Sequence, residues 1–543
     1  MRPLPLITAL CLLAAAPAFA APPAPEVIES DEGIEAQSFL TLSHHGYFRL
    51  RSDLFSNLPM VVGTSGGGRA TVQRYADDGP IMGANMRMRW QPQLAIGQRL
   101  RIGTTIDVMD NVVLGSSDAY AELDPSAPLV FLDDSQTDAA DAIRIKELWG
   151  EWDIAGTLLL RFGRMSNQFG LGMVDNAGSC IDCDYGDYVD RVSALIKAFG
   201  FHANFYFDAP GDGYLVQLPG HSFGQPTDAS TSDDVVRWGF DLGFVPMDKA
   251  ARAQRRKDLG SGEVVVDAVL RNTFTTQNLD SSTPTGQPSC AGDDPENPSF
   301  DCLELRAKQA DVWVGDLFVE LKWRPSFDML FRASLEVAGM AGDVAFVQNR
   351  PVEGFTDSAK EFLSIGGVLQ LELEHRKLTW GLELGVASGD DVAFGPNGRS
   401  FNVEEDGDYS SSSELSGNKT VGAFMFDRDY HVDLLLYREA IGAVTNTFYV
   451  KPSLRALLFE SGEDTIGAEI SLLYGHALVP DSVPGREAPL GFETDVKVFY
   501  EATGIGRAEL AAGALIPLAG LDINAGDSIT PAFALQARIN MSF

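Results

Sequence analysis

The most constraining feature of this chain is a side-chain period of two that recurs from Phe39 to the last residue. It is clearest in Ala532–Phe543, AFALQARINMSF, where Phe533, Leu535, Ala537, Ile539, Met541 and Phe543 alternate with Ala534, Gln536, Arg538, Asn540 and Ser542. Successive residues of a strand point to opposite faces, so the segment has one apolar face and one wet face. Earlier segments repeat the pattern. Phe48, Leu50, Ser52 and Leu54 alternate with Tyr47, Arg49, Arg51 and Asp53, and Ala84, Met86, Met88 and Trp90 with Asn85, Arg87, Arg89 and Gln91. Leu100, Ile102, Thr104, Ile106 and Val108 do the same against Arg101, Gly103, Thr105 and Asp107.

Eighteen such segments can be placed, the middle ones including 235–245, 311–323, 329–337, 363–374 and 378–387, and the late ones 447–458, 466–474, 492–501, 507–516 and 532–543. Their connections alternate between short, as at Ala155-Gly156, 324–328, 460–464 and 503–506, and long and polar, as at 56–82, 111–142, 165–187, 209–233, 277–309, 338–361 and 388–446. An even number of strands with all long loops on one side is the anatomy of an all-β transmembrane antiparallel barrel, with short periplasmic turns and long external loops. The count is about 18, with 16 and 20 as the alternatives. A soluble sandwich also alternates but has no reason to alternate short and long connections throughout. One connection, 246–262, falls on the short side yet holds the basic, helix-favouring run Lys249–Asp258.

The ends and the composition agree with export. Arg2, an apolar run from Leu4 to Ala16 and Ala18-Phe19-Ala20 form a signal peptide over 1–20, with cleavage expected after Ala20. Residues 21–38, Pro-rich and then acidic, read as a flexible periplasmic segment, and 39–543 as the barrel. The chain holds 41 Lys+Arg against 76 Asp+Glu, a net charge of -35, which excludes a nucleic-acid partner because phosphate binding needs a basic face.

With signal, alternation and terminal phenylalanine together, the chain resembles the porin class of bacterial outer-membrane proteins. That resemblance implies an outer-membrane location among lipid and lipopolysaccharide, and passive diffusion of small hydrophilic solutes with no enzymatic step. Association as a homotrimer is a further expectation. Phe533, Leu535, Ile539, Met541 and Phe543 resemble the C-terminal signal read by the barrel-assembly machinery. No specific porin's ligand residues are matched.

A barrel of this size is too wide for side chains to fill and leaves an aqueous channel. The inward positions are charged. The early strands contribute Arg49, Arg51, Arg87, Arg89, Arg101, Arg161, Arg191 and Lys197, and the later ones Glu320, Glu336, Glu372, Glu374, Glu383, Glu469, Glu493, Asp495 and Glu509. Exceptions such as Asp53, Asp107, Glu147, Lys322, Arg332, Lys451, Arg455 and Lys497 interrupt both sets. The expectation is a mostly basic wall facing a mostly acidic one, and a transverse field between them. Arg161 and Arg164 are expected at the channel mouth. Arg538 is expected to tune conduction without affecting folding.

Four cysteines would survive cleavage, and disulfides Cys180–Cys183 and Cys290–Cys302 are expected in an exported loop. No cofactor and no metal site is expected, although Asp175, Asp182, Asp184 and Asp187 beside the first pair could hold a loop calcium. In 388–446, the part 424–442 is too apolar to lie in water. It packs over the rim, forms an extra strand pair or folds into the lumen as a plug, and the rim is the favoured reading. Gly220–Gly224 matches G-x-S-x-G around Ser222, but in a polar loop without the strand-to-helix turn of a nucleophile elbow. Gly63–Arg69 lacks the Lys-Ser/Thr of a phosphate loop. The rivals to a channel are therefore a plugged structural or adhesive barrel and, further off, a hydrolase acting on lipid or surface polysaccharide.

Overall fold

The structure is a computed structural model that describes residues 39–63, 70–74, 80–114, 143–198, 200–210, 235–247, 249–282, 304–344, 360–390, 420–522 and 529–543. The expected leader and N-terminal segment (1–38), Cys290, Cys302, Gly220–Gly224 and most of Gly63–Arg69 lie outside the described residues.

Eighteen long strands are described. They are β1 Leu40–Ser56, β2 Ile81–Ile96, β3 Leu100–Val113, β4 Ile143–Ile154, β5 Leu158–Ser166, β6 Tyr188–Ala198, β7 Phe201–Pro210, β8 Val236–Phe244 and β9 Val264–Ser282. The second half comprises β10 Glu304–Ser326, β11 Met329–Val344, β12 Lys360–His375, β13 Leu378–Ala387, β14 Thr447–Ser461, β15 Asp464–Ala477, β16 Pro489–Ala502, β17 Gly506–Pro517 and β18 Ala532–Ser542. Each pairs antiparallel with its neighbours in sequence, and β18 pairs with β1, Leu54 opposite Leu535 and Arg51 opposite Arg538, so the sheet closes. Closure leaves no row of unpaired backbone groups, which is the condition for a sheet to stand in lipid. The chain is an 18-stranded antiparallel barrel of the outer-membrane type.

The turns obey local chemistry. Between β4 and β5, Ile154 pairs with Leu158 across a three-residue turn in which Ala155 (φ 57°) and Gly156 (φ 74°) both adopt the left-handed conformation, and the Gly156 N–H donates to Asp153 Oδ1 at 2.7 Å. Several strands are longer than their sequence pattern indicates, β11 among them, which runs to Val344 inside the expected loop 338–361. β9 and β10 continue as a ladder to Ser282 opposite Glu304, well into the expected loop 277–309.

The outer face is apolar and banded. Trp152, Phe201, Phe244, Trp323 and Tyr500 project outward near the short turns, and Phe207, Trp238, Trp313, Phe448, Tyr474, Phe492 and Phe533 toward the long loops. Two aromatic girdles flanking an aliphatic band are the signature of a membrane barrel. The alternation of β18 is realised: Phe533, Leu535, Ile539 and Met541 are exposed on the outside, while Ala534, Gln536, Arg538 and Asn540 are buried within. At its end, Phe543 exchanges two backbone hydrogen bonds with Gly46, of 2.9 and 3.0 Å.

The connection after β8 forms helix α1, Lys249–Gly260, as the basic run suggests. On the loop side, Pro59–Gly63 pairs with Ala70–Arg74 as a small separate hairpin.

Candidate functional site

Two connections turn back into the barrel from the loop side. The first is 167–187, between β5 and β6. Gly178 (φ 59°) and Gly186 (φ 93°) let it fold on itself, and a Cβ on Gly178 would lie only 2.6 Å from the Gly186 Cα. Cys180 and Cys183 are joined in a disulfide at its tip, as expected.

That tip sits on the closing seam, where the strand register creates a problem. Arg49 lies directly opposite Arg87, and Arg51 directly opposite Arg538. Facing like charges are unfavourable in a sheet, more so out of water. The inward loop resolves both pairs. Arg49 donates to Ile181 O (2.8 Å) and Cys183 O (3.2 Å), and Arg87 to Cys183 O (2.7 Å) and Asp184 O (3.0 Å). Asp184 pairs with Arg49 (3.2 Å) and Arg51 (2.8 Å), while Asp182 forms ion pairs with Arg538 (2.5 Å), Arg438 (2.5 Å) and Arg51 (3.4 Å). Burial opposes their ionisation, yet Arg438, Arg538 and Arg51 hold the Asp182 carboxyl well below the usual range, and Arg51, Arg49 and Arg87 do the same for Asp184.

Four of the expected channel-lining bases are therefore not in contact with channel water. Arg49, Arg51, Arg87 and Arg89 point inward but are 0, 2, 1 and 3 % exposed, sealed under the loop. Arg89 is spent on Asp107 (2.7 Å) and Gly178 O (2.9 Å). A bulge at the end of β3, with positive φ at Met109 (53°) and Asn111 (56°), turns the consecutive residues Asp110 and Asn111 inward. They serve Arg87 (2.5 Å) and Arg49, a contribution that a strict two-residue period hides. Arg191 is also buried, paired with Asp208 (2.6 Å). Arg101 and Arg161 share Glu151, with side chains 50 and 40 % exposed, and Lys197 is half-buried on the same inner face near the turns. Arg164 does not reach the mouth as expected. Three residues from Arg161, it falls on the opposite face and pairs with Asp190 on the outside (2.8 Å).

The loop-calcium expectation also fails on geometry. Asp175 is bound to Arg271 (2.8 Å), Asp182 and Asp184 are both turned onto the seam arginines and share Arg51 (3.4 and 2.8 Å), and Asp187 accepts the Asn176 N–H (2.9 Å). Among the described residues, no group of three or more His, Cys, Asp or Glu side chains is disposed to hold a metal ion.

The second inward connection is 422–446, between β13 and β14. Against the favoured expectation it does not lie over the rim, nor does it add a strand pair. Phe424, Phe426, Leu435, Leu436, Tyr437 and Val444 are buried in one cluster with the inward residues Val368, Ala387, Leu473, Leu515 and Ala534 of the wall. Apolar positions on the inner wall supply a dry surface that the rim lacks, and the segment covers it. Glycines of the wall admit it: a Cβ on Gly366 would lie 2.3 Å from the Phe424 ring. Its end forms a single π-helical turn, Leu436–Ile441.

Wall carboxylates hold both connections by their backbones. Glu336 accepts the N–H groups of Leu171 and Met173 (3.2 Å to the latter), and Glu493 those of Leu434 (3.0 Å), Leu435 (2.9 Å) and Leu436 (2.7 Å). Asp433 caps the π turn through Tyr437 N (2.8 Å) and Arg438 N (3.0 Å), and burial beside Asp495 pushes its carboxyl up to about 7. Burial likewise raises Glu439 to about 7 and lowers His431 to about 3. Asp429 ties the two connections together, accepting Asp184 N (2.8 Å) and Tyr185 N (3.0 Å).

The remaining acidic positions are mostly paired. Glu320 contacts Lys322 (2.5 Å), Glu372 Arg332 (3.2 Å), Glu469 Arg455 (3.0 Å) and Glu509 Arg507 (2.8 Å) and Arg538 (2.5 Å). Glu383 accepts Tyr449 (2.6 Å) and Tyr430 (3.1 Å), and Glu374 is exposed near the turns. The two expected walls of opposite sign thus become a lumen in which acid and base interleave on each side.

Among the described residues, a cavity of about 340 Å³ lies between the two inward connections and the wall, mostly β14–β18. Lys451, Asp495, Lys497, Arg507 and Glu509 line it from the wall, and Asp182, Tyr430 and Arg438 from the connections. Arg538 also lines it, largely buried and fixed between Asp182 and Glu509, so it belongs to the seam as well as to the channel.

No protein-family model matches the chain, and no curated protein matches it in sequence. Solved structures resemble it in architecture. An outer-membrane protein of Vibrio cholerae, OmpT, is 10 % identical over 96 % of this chain and 100 % of its own, with a TM-score of 0.34. OccK8 (OprE) of Pseudomonas aeruginosa is 10 % identical over 92 % of this chain and 97 % of its own, with a TM-score of 0.45. OccAB2 of Acinetobacter baumannii is 9 % identical over 92 % and 99 %, with a TM-score of 0.42.

Proposed function

We propose that this porin-like, 18-stranded barrel is an outer-membrane channel for small polar solutes, and that they pass along the wall β14–β18. The observation that carries the reading is the cavity of about 340 Å³, edged by charged side chains from both connections and from that wall. Its size is that of a small-ligand site, roughly 300–1,000 Å³. An interior so lined favours hydrated, hydrogen-bonding solutes and rejects apolar ones. The barrel is a conduit in this reading and no residue is assigned a catalytic step.

The test is reconstitution of the purified full chain in planar bilayers. Discrete conductance steps are expected, and their absence from a preparation whose circular dichroism shows intact strand would refute the proposal.

One observation favours a second reading, the plugged barrel: the apolar cluster of 424–444 is seated inside the wall. Deleting that segment separates the two. A channel conducts before the deletion and more after it, whereas a plugged barrel conducts only after it.

A further inference from the structure

One guanidinium inside the barrel has no acid to serve. Arg49, Arg87, Arg191, Arg271, Arg455 and Arg507 each meet a carboxylate. Arg428 meets none. Among the described residues its guanidinium makes neither a hydrogen bond nor an ion pair, and what it touches is a ring: it lies over Tyr185, 4.1 Å from the centroid. The residue is half-buried, so its N–H donors stay open.

The local chain explains this. Residues 427–430 form a turn closed by the Tyr430 N–H on Asp427 O (3.0 Å). Both of its flanks are held to the wall. Phe426 is buried in the apolar cluster, and Tyr430 donates to Glu383 of β13 (3.1 Å). The two tip residues therefore point away from that wall, toward the other connection. Asp429 accepts the Asp184 and Tyr185 N–H groups (2.8 and 3.0 Å), and Arg428 lies on the exposed Tyr185 ring. The flanking carboxylates are turned from Arg428, Asp427 Oδ1 onto the Asp429 N–H (2.8 Å) and Asp429 onto the other connection. One tie thus fixes both the cation and its platform.

The tie has two sides. Asp182, Cys183, Asp429 and Tyr430 line the cavity, whose wall residues reach Arg507, next to Gly506 where β17 leaves its short turn. The cavity is therefore on the periplasmic side of the tie. Tyr185 and Arg428 are not part of its lining, and their exposed surface faces the long loops, from which a solute enters.

We propose that Arg428, laid on Tyr185, is the anion-selecting residue at the external entrance of the lumen, taking the oxyanion group of a small entering solute. The ring fixes the plane of the guanidinium and leaves the edge of its fork free, the geometry for bidentate oxyanion binding. Tyr185 is a positioning residue. Only the consequence for passage rests on the channel reading; the binding of the anion does not.

Two measurements on the full chain test this. Phenylglyoxal modifies open guanidiniums, and peptide mass mapping reports each one. Arg428 should react faster than the carboxylate-paired Arg455. Inorganic phosphate should slow its reaction about two- to fivefold relative to chloride at equal ionic strength, the effect of one partly exposed charge pair. Equal slowing by the two anions, or none, would overturn the proposal. In planar bilayers under a KCl gradient, Arg428→Gln should shift the reversal potential toward that of potassium, while Arg428→Lys, which keeps the charge, should stay near the wild type. Heat-modifiable gel mobility should be the same for all three, since Arg428 has no hydrogen bond to lose. An unchanged reversal potential in Arg428→Gln would also overturn the proposal. A wild type without conductance steps would refute the channel reading alone, because protection of Arg428 by phosphate is read without conduction.

Discussion

Removal of the Asp184 carboxylate is the sharpest test of how the lumen is held. The side chain is shared by Arg49 (3.2 Å) and Arg51 (2.8 Å), in a place where neither guanidinium reaches water. In Asp184→Asn the volume is kept and the charge is lost. Arg49 retains carbonyl partners and Asn111, and Arg51 retains Asp53 (3.2 Å) and Asp182 (3.4 Å), but the charge compensation at the seam is reduced. Breaking a buried pair costs about 3–5 kcal/mol, and the surviving partners place this case at the lower end, about 3 kcal/mol. That is roughly a hundredfold in the unfolding equilibrium. Urea midpoints in detergent micelles, read by tryptophan fluorescence with an unchanged slope, measure it. A cycle with Arg51→Gln should show a coupling of at least about 1 kcal/mol. Glu460→Gln, which breaks the exposed pair with Lys377 at 2.7 Å, is the control and should change stability by no more than about 0.5 kcal/mol. If Asp184→Asn costs no more than that control, or adds to Arg51→Gln without coupling, the loop tip does not neutralise the seam and the argument fails.

Three further outcomes follow from the same geometry. Leu535→Arg, on the lipid face of β18, should destabilise the barrel by about 2–4 kcal/mol in lipid vesicles if it lies near the midplane, and a cost near zero would reverse the inside–outside assignment. Phe424→Ala should cost about 3–5 kcal/mol of the docking of 422–446, seen as larger and noisier single-channel currents; an unaltered trace would remove the segment from the lumen. Asp433 and Glu439 have carboxyls raised to about 7, so their contribution is fully present below about pH 4 and lost as pH rises toward 7. Hydrogen exchange of 433–441, corrected for intrinsic rate, should accelerate over that window, and a flat or opposite trend would contradict the sign.

Much of the site was hidden because it is made by distant residues. Arg538 illustrates this. Its inward direction follows from the alternation around it, and from that alone it looks dispensable for folding. The structure binds it to Asp182, which arrives on a different connection, so Arg538→Gln is now expected to weaken the seam as well as to alter conduction. Glu336 and Glu493 were likewise legible as inward carboxylates, but not as clamps on the backbones of 171–173 and 434–436. The signal that could have exposed the inward fold of 422–446 was present in its composition: a run from Phe424 to Val444 rich in apolar residues beside wall glycines at 366, 475 and 513.

What is periodic was legible in the chain alone. A period of two assigns each residue to one face, turn residues such as Ala155-Gly156 set the hairpins, and the alternation of short and long connections orders the strands. These are properties of neighbours in the chain, so they survive without a fold. Which inward charges meet water and which meet each other was settled by contacts between distant segments. Arg49 and Asp184 are 135 residues apart, and Arg438 and Asp182 are 256 apart. Their pairing depends on closure of the sheet, which first brings like charges together across β1, β2 and β18 and so creates the site that the inward loop must fill.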